Sequence, residues 1–369
     1  MKRTKLIKLA GVFVLLAAIG VIAWILVSGF LNRPLAPPLE LIAPEESPTQ
    51  AAPPPQSVTP GQSGQSDQTD KPDPSSQEAP EVKPAEEVQA PATTVNTQGM
   101  CGMTGKMTLL ASGISFPSKR GKQDVGAIRL VGVDFDAGKI MVLALPPKMW
   151  VATPALANQG IQATELRKVF LLAREAAKGV ESRPNFKATQ VFAQTLADNF
   201  SYFPNHYATV DPEVFVEIVD EYGGLDIRVP EYLDASVEDY GVFEAGLEHM
   251  DGARALDYVS MVKPNGAHSP DEWARLERQN QVVRAMLKTA IKLENLPKLP
   301  KLIEMFHRLV TTDLSINQIR SLACMVTEMG VNVDLVEFSP DLVSLDAQGN
   351  MLPEKEKIKE LIQSLTAGQ

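Results

Sequence analysis

The sequence predicts an α/β protein in which a mixed central sheet is covered by helices, an α/β/α sandwich, preceded by one transmembrane helix. Three observations predict it. From Met107 onward, short runs rich in β-branched and apolar residues alternate with segments of helical period, the pattern of layered α/β folds. Residues 9–31 form an uncharged, mostly apolar run. Between the two lies a tract, residues 32–99, dominated by Pro, Gln, Ser, Glu, Thr and Ala.

The apolar run comes first. At about 1.5 Å of rise per residue it is long enough to cross a hydrocarbon core of roughly 30 Å. Lys2, Arg3, Lys5 and Lys8 precede it, and Arg33 alone follows closely. That bias keeps residues 1–8 cytoplasmic and puts the rest outside, as a single-pass protein of the cell membrane. The run exceeds the apolar core of about 7–15 residues of a cleaved signal and lacks a convincing small-residue cleavage site, so an uncleaved anchor is expected. Segments such as AAPPPQSVTPGQSGQSDQTDKPDPSSQ cannot bury enough apolar surface to offset ordering entropy, which predicts a disordered stalk over residues 32–99.

The foldable part is residues 100–369. MTLLAS (107–112), AIRLVGVD (127–134) and KIMVLAL (139–145) read as strands, the last two joined by a turn at Asp136-Ala137-Gly138. Helical spacing follows over 164–178 and 188–200, then a strand HYATV (206–210). Asp211 is placed to cap a helix with Pro212 at its first position, and Gly223-Gly224 to end it. LDIRV (225–229) is a strand, and Asp251 caps a short helix, GARALDYV. A long helix is expected from about Pro270 to Glu294 with Ser269 as its cap. Helices over about 300–310 and 315–329 and a strand VNVDLVEF close the chain.

Composition excludes several classes. A net charge of −10 over 369 residues disfavours nucleic acid, which calls for a basic face. Phosphate-loop patterns are absent, and no nucleophile elbow surrounds Ser112 or Ser115. His206, His249, His268 and His307 show no metal-ligand spacing. The two cysteines, Cys101 and Cys324, leave two readings open outside the cytoplasm: one disulfide, or two buried thiols. Phe192, Phe200, Tyr202 and Phe203 belong to the core or to the wall of an apolar groove.

Three segments together resemble the LytR–CpsA–Psr family of cell-envelope proteins: VDPEVFVEIVDEYGGLDIRVPE (210–231), GLEHMDGARALDYV (246–259) and DEWARLERQNQVVRAMLK (271–288). The flanking MTLLASGIS and AIRLVGVDFDAGKIMVLALPPKMWV fit as well, so the resemblance covers roughly residues 107–314. It implies an α/β domain that binds a polyprenyl-pyrophosphate carrier in an apolar groove and transfers the attached glycopolymer to peptidoglycan. Active members use Mg²⁺, and the partners are polyprenyl-linked lipid or cell-wall glycopolymer.

Glu272, Arg275 and Gln279 sit at i, i+3 and i+7, one face of a helix. They match an acidic residue (usually Asp), an Arg and a Gln that the resemblance makes catalytic. The other charged positions are replaced. Ser115 and Gly126 stand where metal-binding aspartates are expected, Pro147 and Lys148 where an Arg-Asp pair is, and Ser260 and Val262 where two arginines are. Asp124, Lys148 and Lys263 are near enough in sequence to compensate in part. Losing one positioned electrostatic group commonly costs about 10²–10³ in rate, and here several are absent together. The expectation is therefore a domain that binds precursor or polymer without catalysis and without a cofactor. An active divergent ligase or pyrophosphatase, and a scaffold for envelope assembly, are the alternatives.

Overall fold

Residues 106–115, 124–134 and 139–144 fold as an antiparallel meander because each run alternates its side chains between two covered faces and the last two are joined by a tight turn. The computed structural model describes residues 31–42, 101–115, 124–266, 271–292, 294–328 and 333–366. β1 (Lys106–Ser115) pairs with β2 (Asp124–Asp134), and β2 with β3 (Lys139–Ala144). Gly138 takes φ 61° in the turn between β2 and β3, a backbone that costs glycine little. A hairpin of β4 (Trp150–Ala152) and β5 (Ala163–Glu165) leads to α1 (Leu166–Ala177) and α2 (Pro184–Phe200). β6 (His206–Val210) returns parallel to β1, and α3 (Pro212–Tyr222) follows. Two small ribbons come next: β7 (Leu225–Val229) with β10 (Gly246–Met250), and β8 (Leu233–Asp234) with β9 (Val242–Phe243). Then come α4 (Gly252–Ser260), α5 (Glu272–Ala290), α6 (Leu299–Leu309), β11 (Thr311–Thr312) and α7 (Ile316–Glu328). β12 (Val333–Val336), the hairpin β13 (Val343–Leu345) and β14 (Met351–Pro353), and α8 (Lys355–Thr366) finish the chain.

Among the described residues the central sheet has the order β11-β6-β1-β2-β3-β12 and is mixed, with β6 parallel to β1 and β12 parallel to β3. Its two faces carry separate cores. Leu110, Ile128, Leu130 and Leu143 pack with Phe170 of α1, Phe192 of α2 and Ile358 of α8. Leu109, Val133 and Ile140, on the opposite parity, pack with Val214 of α3 and with Val310, Leu314 and Ile319. A third cluster joins Ile227 and Val229 of β7 to Tyr258 of α4 and Val282 of α5. Each buried Leu or Ile stabilises by roughly 1.5–3 kcal/mol.

The observed elements correct the expected ones in five places. The long helix runs Glu272–Ala290, not 270–294, and Asp271 caps it by accepting from the Ala274 amide at 3.0 Å; Ser269 lies outside the described residues. Asp211 occupies the cap position of α3 without a side-chain capping bond. β4–β5, β8–β9, the β10 partner of β7, and β13–β14 were not expected. Nor was α8, whose Ile358, Ile362 and Leu365 nevertheless carry a helical spacing that buries them. Residues 32–42, expected to open the stalk, are packed on the domain: Leu35, Ala36, Leu39 and Leu41 contact its cores. The expected anchor up to residue 30 and the tract from residue 43 lie outside the described residues, among which no helix is long and apolar enough to cross a membrane. Of the two readings of the cysteines, the disulfide is the one present, Cys101 to Cys324 with Cα atoms 5.6 Å apart.

Gly252 shows why one motif position must be small. A Cβ there would lie 2.3 Å from the Val216 carbonyl oxygen and 2.7 Å from its Cα, and backbone cannot yield as a side-chain tip can. Gly252→Ala is expected to push α4 off α3 and destabilise the domain by about 1–3 kcal/mol, read as a lower urea midpoint. Equal midpoints for wild type and variant would show that the two helices can separate freely.

Candidate functional site

Small residues on two strands leave a space that the facing helices do not fill. Ala111 and Gly113 of β1 and Gly126 and Ala127 of β2 form its floor, where a register shift at Gly113/Ile114 bends the pair. Side chains of α3, α4, α5 and α6 form the roof, among them Ile218, Val259, Val283, Met286, Leu302 and Phe306. The cavity holds about 400 Å³ and is almost wholly apolar, which is within the range of a ligand site.

Its polar groups gather at the start of β2. Gln279 of α5 donates from Nε2 to the Gly126 carbonyl at 2.9 Å, and its Oε1 accepts from Arg129 Nη2 at 3.3 Å. Gln279 thus fixes Arg129 at the cavity wall, with Ser260 of α4 also in the lining. Arg129 is buried, and its other hydrogen bond, to the Ile128 carbonyl, is long at 3.5 Å. Burial, and then the positive charge of Arg275, bring its guanidinium down to about 10. A buried guanidinium in the wall of an apolar cavity, with a second buried one acting on it, favours an anionic group next to it.

Glu272, Arg275 and Gln279 are buried together on the inward face of α5, so the helical spacing placed them correctly. Arg275 Nη1 lies 3.7 Å from Glu272 Oε2. Burial holds the Glu272 carboxyl above the ordinary glutamate range, while Arg275, Lys148 and Arg167 pull it back and Asp124 pushes it up. Asp124 itself is bonded by Arg167 at 2.7 Å, and Arg167 Nε reaches Glu165 at 2.6 Å.

Of the positions expected to be replaced, Gly126 and Ser260 line the cavity. Ser115 pairs with Asp124 across β1 and β2. Pro147 accepts the Arg167 amide at 2.8 Å through its carbonyl, and Lys148 is half-buried. Val262 and Lys263 present their backbone N–H groups to the buried carboxylate of Glu238. The aromatic residues Phe192, Phe200 and Tyr202 lie in the core across the sheet, and Phe203 is partly exposed.

Sequence reasoning missed Arg129, Arg167, Arg278 and Glu238. Arg129 carried a signal, a single charge inside an otherwise apolar strand. Arg278 is buried, and it donates to the carbonyls of Tyr258 at 3.1 Å and Met261 at 2.6 Å. It closes the C-terminus of α4, and burial brings it, too, down to about 10.

The donor set does not suit Mg²⁺. That ion needs octahedral oxygen ligands, commonly one or two carboxylates. Here Asp124 is engaged by Arg167 and Glu272 faces Arg275, and among the described residues no three acidic, His or Cys side chains converge. His206 contacts Asp313 and Gln318 instead, and His249 contacts Asp226.

Comparison with known proteins bears on this site. The model of the LytR_cpsA_psr family matches residues 176–366, just over half of the chain. The match begins at residue 176, beyond Ser115 of β1, Gly126 of β2, and Pro147 and Lys148 between β3 and β4. The polyisoprenyl-teichoic acid–peptidoglycan teichoic acid transferase TagV of Bacillus subtilis is 29% identical over 126 residues, 33% of this chain and 32% of that protein. The chain thus spans about a third of that relative's length. The crystal structure of B. subtilis TagV covers 71% of this chain and 98% of its own at 20% identity and a TM-score of 0.51. A LytR-Csp2A-Psr enzyme from Actinomyces oris covers 71% and 92% at 16% identity and a TM-score of 0.53. These two share the fold.

Proposed function

The chain belongs to the LytR–CpsA–Psr family, and from that premise we propose that it is a membrane-anchored envelope protein that holds polyprenyl-phosphate-linked precursors of wall polymer without transferring them. One observation carries the reading: an apolar cavity of about 400 Å³ with Arg129, Gln279 and Ser260 in its wall, and a buried Arg275 whose charge acts on Arg129. A polyprenyl tail matches the apolar part, since burial contributes about 25 cal/mol per Å². A phosphate head matches the guanidinium end, where each charge-assisted bond contributes about 1.5–3 kcal/mol. TagV's name assigns it a polyisoprenyl-linked teichoic acid as substrate, which supports the same ligand class here.

Loss of transfer is the second part of the proposal. Ser115, Gly126, Pro147, Ser260 and Val262 cannot supply the carboxylates and guanidinium forks that would hold a metal ion and a pyrophosphate. Arg129 and Arg275 provide cations for a head group but no base and no metal ligand. Residues 9–31 are proposed as the anchor and residues 100–369 as the extracytoplasmic domain.

The test uses the full-length protein in detergent with a polyprenyl-pyrophosphate-linked oligosaccharide and peptidoglycan, with Mg²⁺ or with chelator. Saturable binding without release of polyprenyl phosphate is expected in both. Metal-dependent release that Arg275→Ala abolishes would show an active divergent ligase or pyrophosphatase. Failure to bind any polyprenyl compound would leave the domain as a scaffold for partner proteins.

A further inference from the structure

Residues 32–42 run along the domain and are held at both ends. The Asn32 side-chain oxygen accepts from Asn317 Nδ2 of α7 at 2.7 Å. Leu35 packs against the core layer that contains Leu314 and Ile319, while Leu39 and Leu41 pack against the core on the opposite face of the sheet. Between them the Tyr207 hydroxyl donates to the Pro37 carbonyl at 3.5 Å. At the far end the Gln194 side chain of α2 bonds both the N–H and the C=O of Ile42, each at 2.9 Å. The segment therefore passes around β6 from one face to the other. It crosses where the two residues of β11, paired with Ala208 and Thr209, leave the rest of that strand edge to be covered.

The chain comes back to the same helix. Cys101 is bonded to Cys324 of α7, and its carbonyl accepts from Ser321 Oγ at 2.7 Å. Asn317, Ser321 and Cys324 are spaced by four and three residues, so one face of α7 fixes both the start of the segment and the start of the domain. Ile42 and Cys101, on either side of residues 43–100, are thus both fixed to the domain, so the length of that tract does not set the domain's distance from residue 31.

We infer that residues 32–42 are a strap holding the domain against the lipid headgroups next to the anchor. The inference rests on the anchor proposed above. Ile218 and Phe306 of the cavity wall pack against the same layer as Leu35, so the cavity lies on the side of the sheet where the strap begins.

Neutron reflectometry on the full-length protein in a supported bilayer of mixed zwitterionic and anionic phospholipid tests this. Protein density is expected to begin at the headgroups in wild type, and to stay there when residues 46–95 are deleted. Replacing residues 32–42 with a Gly-Ser sequence of equal length is expected to open a water gap. A flexible tether over residues 32–100 would have an r.m.s. span of roughly 45 Å. A wild-type gap of tens of ångströms that shrinks on deletion of 46–95 would overturn the inference. Should the Gly-Ser variant not fold, the deletion decides alone, because it leaves every strap contact intact. Loss of the protein layer on a salt wash would overturn the anchor and with it the membrane placement. Slow hydrogen exchange at the Ile42 amide of the same chain in detergent distinguishes that result from failure of the strap itself, which fast exchange would show.

Discussion

Arg129→Leu is expected to weaken binding of a polyprenyl phosphate by about 10- to 100-fold, while leaving binding of the uncharged polyprenol unchanged. The magnitude follows from removing one charge-assisted contact of about 1.5–3 kcal/mol in a buried site. Stability should move the other way or not at all. Burial and the charge of Arg275 both lower the Arg129 pKa, so the charged guanidinium is held at a cost, and an apolar side chain of similar reach relieves it. A lower affinity together with an equal or higher unfolding temperature marks a residue kept for a ligand. Equal losses for phosphate and polyprenol, or a fall in stability that tracks the loss of affinity, would show instead that Arg129 supports the cavity wall. Arg275→Ala makes a useful contrast, because it leaves the buried Glu272 carboxylate without its nearest cation. It should cost about 3–5 kcal/mol of stability, whatever its effect on binding.

The double variant Cys101→Ala, Cys324→Ala is expected to lose about 3–5 kcal/mol of stability, because the bond closes a loop with a sequence separation of 223 and so restricts the unfolded chain. In a domain of this size that corresponds to an unfolding temperature lower by roughly 10 °C. Wild type scanned in reductant should reproduce the variant's curve, and adding reductant to the variant should change nothing. An unchanged midpoint on reduction would show that residues 101–324 are already constrained in the unfolded state. Polyprenyl phosphate affinity should survive in the variant below its midpoint, since neither cysteine touches the cavity.

The helical face that carries Glu272, Arg275 and Gln279 was readable from spacing alone, because i, i+3 and i+7 share a face in any helix. Strands β1, β2, β3, β6 and β7 and helices α1 to α7 were readable for the same reason, each announcing itself by period, cap or turn. Asp271 was misjudged against Ser269 because both are good caps and only the observed bond to the Ala274 amide selects one. α8 was overlooked, although Ile358, Leu361, Ile362 and Leu365 keep a helical period, because Lys and Glu dominate the rest of the segment.

By itself the sequence determined the kind of fold, the order of most elements and the family, since all of these are written in local pattern. Tertiary structure alone decided three things. Whether small residues at Ala111, Gly113, Gly126 and Ala127 make a cavity or a close contact depends on how far the roof helices stand from the strands. Whether Arg129 is a stray charge or part of a site depends on Arg275 and Gln279 arriving from far along the chain. Whether the Pro- and Leu-rich residues 32–42 stretch away or fold back depends on partners such as Gln194, Tyr207 and Asn317. Local sequence sets which conformation a segment prefers, but packing free energy between distant segments sets which surfaces meet, and no short-range period records that.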